Sequence, residues 1–112
     1  MRIAIPVVNN ALCMHFGHCE VFVLLDVDEN TRAITHQEAV TPPPHQPGLL
    51  PPWLAERGVT LVIAGGMGQR AQVLFQQNGI EVIVGAPALP PEELVRNYLA
   101  GNLVSGVNTC DH

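Results

Sequence analysis

Apolar residues fall in short blocks separated by turn-forming residues, and the blocks follow two periods. Ile3-Ala4-Ile5-Pro6-Val7-Val8, Val21 to Val27, Thr60-Leu61-Val62-Ile63-Ala64 and Ile80-Glu81-Val82-Ile83-Val84 have strand length and are rich in β-branched residues. Pro6 predicts an edge position or a bulge for the first of them, because proline cannot donate to a sheet ladder. Arg32 to Val40 is more polar and follows the turn Asp28-Glu29-Asn30-Thr31, so 21–27 and 32–40 read as an antiparallel hairpin. Residues 42–52 hold six prolines in eleven positions, which makes an extended, stiff loop.

Helical spacing appears only later in the chain. Pro51-Pro52 suits the first turn of a short helix through 53–57, with Gly58 closing it. A second helix spans about 69–78 before Gly79, and a third starts at Pro90-Pro91-Glu92-Glu93, its acids facing the positive end of the helix dipole. Trp53, Leu54, Leu74, Phe75, Leu94, Val95, Tyr98 and Leu99 are the expected core-facing positions. The 60–84 stretch is a β-α-β crossover, so 3–7, 60–64 and 80–84 are expected to be parallel. The whole of 1–112 is read as one α/β domain. Its tail, 105–112, shows no periodicity and is expected either to be flexible or to bear ligands.

Composition narrows the function. The chain has 112 residues, 47% hydrophobic and 13% charged, enough for a substantial core. Its formal charge is −5, it has no lysine, and its five arginines (Arg2, Arg32, Arg57, Arg70, Arg96) are scattered. That excludes the clustered basic face of a nucleic-acid binder and electrostatic attachment to anionic membranes. No apolar run approaches a membrane span. The first residues reach Pro6 and Asn9-Asn10 too early for a signal peptide, so a cytoplasmic protein is expected. Three cysteines cannot form a closed disulfide set, which leaves thiols for metal or redox chemistry.

The densest chemistry is Cys13-Met14-His15-Phe16-Gly17-His18-Cys19, leaving the C-terminal end of the first strand. Thiolate and imidazole donors at Cys13, His15, His18 and Cys19 suit zinc, copper or iron. Cys110 and His112 form a second pair on the tail, and His45 lies on the proline loop. His36, on the polar hairpin strand, reads as solvated. The spacing is that of no zinc finger, and each cysteine alone could equally be a small buried hydrophobe. A second candidate is Gly65-Gly66-Met67-Gly68, a strand-to-helix bend whose backbone N–H groups could face an anion, with Arg70 beside it. The alternative is a plain tight βα turn. Sites in open α/β sheets gather at the C-terminal ends of parallel strands, where both loops would open if their strands are neighbours. No Ser-His-Asp order and no carboxylate pairing points to hydrolytic chemistry.

Ile3-Ala4-Ile5-Pro6, His15-Phe16-Gly17 before a strand ending in Asp26-Val27-Asp28, and Val62-Ile63-Ala64-Gly65-Gly66-Met67-Gly68-Gln69-Arg70-Ala71 together resemble the dinitrogenase iron–molybdenum cofactor biosynthesis domain of the NifX, NafY and NifB C-terminal type. Gly79-Ile80-Glu81-Val82 and the helix to Tyr98-Leu99-Ala100-Gly101 fit the same order, so the likeness covers about residues 1–104. It implies a ribonuclease-H-like mixed five-stranded sheet flanked by helices. It also implies a non-enzymatic role: binding, carrying or assembling a metal or metal–sulfur cofactor containing iron, molybdenum or copper, with zinc as the mononuclear alternative. His15 is then the leading cluster contact, flanked by Gly65, Gly66, Gly68 and Arg70, and the partners are cofactor-assembly or acceptor metalloproteins. Small members include a molybdenum–copper sulfide cluster protein of sulfate reducers. Cys13, His18-Cys19, His45 and the Cys110-Asp111-His112 tail depart from the common pattern and favour direct metal ligation. A small thiol- or metal-dependent enzyme and a cofactor-free interaction module are the competing readings. The sequence leaves the oligomeric state open.

Overall fold

The computed structural model describes residues 1–14, 19–44 and 48–103. Its elements are β1 (Arg2–Val8), β2 (Ala11–Leu12), β3 (Val21–Asp28), β4 (Ala33–Val40), α1 (Leu50–Glu56), β5 (Leu61–Ile63), α2 (Gln69–Gln77), β6 (Glu81–Ile83) and α3 (Pro91–Leu99). One mixed sheet runs β4-β3-β1-β5-β6, with β2 paired to β1. As expected, β1, β5 and β6 are parallel while β3 and β4 form an antiparallel hairpin.

Two expectations need correction. The sheet has six strands rather than five, because Asn9 and Asn10 take positive φ (52° and 66°) and fold Ala11-Leu12 straight back onto Val7-Val8. Asparagine tolerates this left-handed conformation better than most residues. Pro6 is also not at an edge. β1 is central, and Pro6 sits opposite Phe22. The even residues of β1 turn their polar groups toward β5 and β2: Thr60 N–H donates to Arg2 O (3.0 Å) and Cys13 N–H to Pro6 O (2.8 Å). Pairing with β5 covers only Ile3 and Ala4, so the missing donor of Pro6 falls beyond that ladder and costs no bond in it.

Alternation along the strands supplies two hydrophobic faces. Ile3, Ile5, Val7, Val23, Leu25, Leu61 and Ile63 pack with Leu94 and Val95 of α3. Ala4, Phe22, Leu24, Val62 and Ala64 pack on the opposite face with Leu54 of α1 and Phe75 of α2. Burial on both faces explains why β1 and β5 read as unbroken apolar runs. Of the expected core positions, Leu54, Phe75, Leu94 and Val95 are fully buried, and Trp53, Leu74, Tyr98 and Leu99 are half-buried. Glycines follow the helices where expected: Gly58 (φ +81°), Gly79 (+76°) and Gly101 (+75°) take the left-handed conformation that ends a helix. Among the described residues no helix is long and apolar enough to cross a membrane.

At the end of the sheet opposite the candidate site, Arg2 forks onto Asp26 (Nε–Oδ1 2.7 Å, Nη2–Oδ2 3.1 Å) and donates to Arg57 O (2.9 Å), joining β1, β3 and the end of α1. The Arg2 hydrogen bonds hold the Asp26 carboxyl below its usual range. A depressed carboxylate stabilises the fold above its unfolded pKa and loses that contribution as pH falls through the folded value. Asp26→Asn should therefore cost about 1–2 kcal/mol at pH 7. Urea titrations should show the gap between the two proteins held at neutral pH and narrowing only as pH falls below the ordinary carboxylate range.

Candidate metal–sulfur site

The C-terminal ends of β1, β5 and β6 bring three loops together. β1 and β5 are direct neighbours, so the segment after β2 and the Gly65–Gly68 turn open side by side. The loop after β6 closes the third side: Gly85 N–H donates to Gly65 O (2.7 Å), Ala86 N–H to Ala64 O (3.1 Å), and Leu12 N–H to Leu89 O (3.0 Å).

Gly65 is where the first two loops touch. A Cβ built there would lie 3.1 Å from Met14 Cα and 3.1 Å from Met14 Sδ, tighter than most Cβ contacts in folded proteins, so Met14 would have to give by a few tenths of an ångström. The glycine thus suits the close approach of another backbone. Gly65, Gly66 and Met67 are buried, whereas Gly68 and Arg70 are exposed. Only the last part of the glycine turn, at the start of α2, therefore faces solvent. Gly68 is the N-cap of α2, and the Gln72 side chain donates back to Met67 O (3.0 Å), fixing the bend.

Cys13 and Cys19 are both thiols; Cys13 is buried and Cys19 half-buried against the cluster that contains Phe22 and Met67. They lie close enough that a charge on Cys13 acts on Cys19. Burial, then Cys13, pushes the Cys19 thiol up to about 11. At neutral pH its thiolate fraction is then about one in ten thousand. In metal-free protein, alkylation of Cys19 by iodoacetamide should be about a hundredfold slower at pH 7 than in urea-unfolded protein, and should still be accelerating above pH 9. Mass-spectrometric time courses against pH check this, and a rate that levels off near pH 8.5 would contradict it.

The structure brings together Cys13, Cys19, Gly65, Gly66, Gly68 and Arg70 at one end of the sheet. His15, His18, His45, Cys110 and His112 lie outside the described residues. Among the described residues no three His, Cys, Asp or Glu side chains converge on a common point. The donor chemistry nevertheless fits a soft metal or its sulfides: two neighbouring thiols in an apolar setting, bounded by an exposed helix start. His36 is exposed as expected, its Nε2 4.0 Å from Glu38 Oε2. Sequence reasoning missed Met14, whose backbone and thioether fill the space above Gly65. A glycine directly after a buried strand was the available sign that another backbone approaches there.

A sequence model described as dinitrogenase iron–molybdenum cofactor matches residues 1–101. The chain belongs to that family. The chain is 32% identical to an uncharacterized protein of Methanocaldococcus jannaschii over 108 residues, 92% of this chain and 89% of the relative. The crystal structure of PH0822 is similar with a TM-score of 0.85 and 28% identity, covering 94% of each chain. The apo form of the orange protein from Desulfovibrio gigas is similar with a TM-score of 0.70 and 26% identity, covering 96% of this chain and 93% of that one. The family therefore links this chain to metal clusters of the iron–molybdenum cofactor class.

Proposed function

We propose that this protein binds a metal–sulfur cofactor or its precursor as cargo at the C-terminal end of the sheet, and carries it to, or helps assemble it for, an acceptor metalloprotein. The observation that carries the reading is that the Cys13 and Cys19 thiols lie within electrostatic reach of each other beside the Met14–Gly65 contact of the glycine turn, in a chain of the iron–molybdenum cofactor family. Cys13, His15, His18 and Cys19 are the proposed ligands, with His45, Cys110 and His112 as further donors. Gly65 and Gly66 shape the wall, and the exposed amides after Gly68 together with Arg70 receive the anionic side of the cargo. Iron, molybdenum or copper sulfides match these donors best, and zinc would mark a mononuclear site.

The role is proposed to be non-enzymatic. A thiol nucleophile needs a lowered pKa, and Cys19 is shifted the other way. A carrier must release what it holds, which favours few donors on a loop over a closed four-ligand cage. The ribonuclease-H-like reading belongs with this proposal, supported by a mixed sheet with an antiparallel hairpin on one side, a parallel βαβ pair on the other and helices on both faces. A cytoplasmic setting, where thiols stay reduced, fits the same chemistry.

Tetrathiomolybdate, an anionic metal sulfide, is a suitable probe. Arg70→Ala should weaken its binding several-fold at low salt and flatten the dependence of affinity on ionic strength. Equal affinity and equal salt slopes in parent and variant would leave Arg70 and the turn as purely structural.

A further inference from the structure

The two edges of the sheet differ in length. β6 closes one side with three residues, and β4 closes the other with eight. Among the described residues the outer side of β4 has no strand partner, and its side chains are exposed apart from the half-buried Ile34 and Val40. A strand edge of that length is a template for pairing unless something blunts it, and lysine and proline are common means. β4 contains neither. Its one irregularity is Thr35, the extra residue where pairing steps from Asp26 opposite His36 to Val27 opposite Ile34.

The strand is complementary to its own reverse. When two identical strands pair antiparallel about a two-fold axis normal to the sheet, facing residues share a face, so the axis passes a single residue. Three such axes centre the ladder on β4. An axis at His36 sets Glu38 against Ile34, and an axis at Glu38 sets two carboxylates directly opposite, which is destabilising. An axis at Gln37 sets His36 against the second copy's Glu38 and Glu38 against the second copy's His36. These side chains are 59% and 44% exposed, so a second copy meets them at the surface. Glu38 Oε1 lies 3.8 Å from Arg2 Nη1, and its Oε2 is 4.0 Å from Nε2 of its own His36, beyond hydrogen-bond reach. Oε2 can therefore accept from the facing imidazole. On the opposite face Gln37 donates to Glu92 Oε1 (2.6 Å). Its second amide hydrogen and its own Oε1 can pair reciprocally with the second copy's Gln37. Thr35 then faces Ala39, a small side chain beside the bulge.

We propose that β4 is the interface of a symmetric dimer, in which two copies of this chain pair their β4 strands antiparallel about Gln37 and join their sheets into one. β4 runs parallel to β1, because each is antiparallel to β3. The two-fold axis therefore sets the C-terminal ends of the two β1 strands at opposite ends of the joined sheet, and both candidate cargo sites stay open. The dimer does not rest on the metal reading.

Sedimentation equilibrium of the full chain without metal at pH 7 tests it. The parent should pass from monomer to dimer as concentration rises. H36E sets two carboxylates against each other at both facing pairs and should weaken the dimer at least ~tenfold. H36E/E38H exchanges the partners and should restore the affinity to within about threefold of the parent, since an axis at Gln37 brings positions 36 and 38 together. A parent that stays monomeric up to about 1 mM overturns the proposal. So does a dimer that H36E leaves unchanged, or one that H36E weakens and the exchange does not restore. Amide hydrogen exchange along 35–39 of the parent gives a reading independent of the variants. It should slow as concentration rises, and rates that ignore concentration overturn the dimer.

Discussion

Gly65→Ala should destabilise the protein by about 1–3 kcal/mol and strip it of most of its cargo, although it adds a single methyl group. The methyl would meet Met14 Cα at 3.1 Å and Met14 Sδ at 3.1 Å. The thioether can swing aside, but the Met14 backbone is tied through Cys13 N–H to Pro6 O (2.8 Å) and through the Ala11–Leu12 pairing with Val7 and Val8. The strain therefore passes into the segment that carries Cys13. Gly68→Ala is the control, since a Cβ there meets nothing within 4 Å and φ is −62°. Urea denaturation with parallel metal analysis separates the two. Equal stability and equal metal content for both variants would show that Gly65 does not hold the two loops together.

Cys13→Ala and His15→Ala should each remove most of the bound metal, leaving less than about a tenth of the parent's, because a few-ligand site loses affinity steeply with each donor. Alanine rather than serine is the informative replacement at Cys13. That position is 4% exposed, and serine would bury a hydroxyl there at a desolvation cost unrelated to ligation. His36→Ala, on an exposed edge strand, should keep its metal. Metal analysis after gel filtration gives the answer. Parent-level metal in Cys13→Ala, His15→Ala and Cys19→Ala together would reduce the 13–19 segment to a packed loop.

The sequence carried most of the architecture because the apolar blocks differ in period and are cut by glycine and proline. The continuous runs at 3–8 and 60–64 announced buried parallel strands, and Gly58, Gly79 and Gly101 marked the helix ends. The sixth strand escaped because two residues carry no periodicity, and its cause, the positive φ of Asn9 and Asn10, is a backbone property that many asparagines do not adopt. Pro6 misled because proline reports only a missing donor. Which side that donor faces, and where the neighbouring ladder stops, are set by tertiary structure.

The site was legible as a composition and less so as a geometry. The proximity of Cys13 to Cys19 followed from β2 and β3 both pairing with β1, and that of their loop to the glycine turn from the pairing of β1 with β5, long-range facts that local patterns hint at only through the parallel-sheet rule. The role of Gly65 as contact surface for Met14 was hidden behind a second, equally ordinary use of glycine, an anion-binding bend. The raised thiol of Cys19 was beyond sequence reading altogether, since burial first, and then the nearby Cys13, set its direction.

Isolation without oxygen, with absorption spectrum and elemental content measured together, tests whether this chain holds a metal or metal–sulfur cargo between the 13–19 segment and the Gly65–Gly68 turn. Protein isolated in this way should show visible sulfide-to-metal absorption with near-stoichiometric molybdenum, iron or copper, both lost in Cys13→Ala. Colourless protein that carries none of these metals, and takes up none when supplied with metal and sulfide under the same conditions, would contradict it.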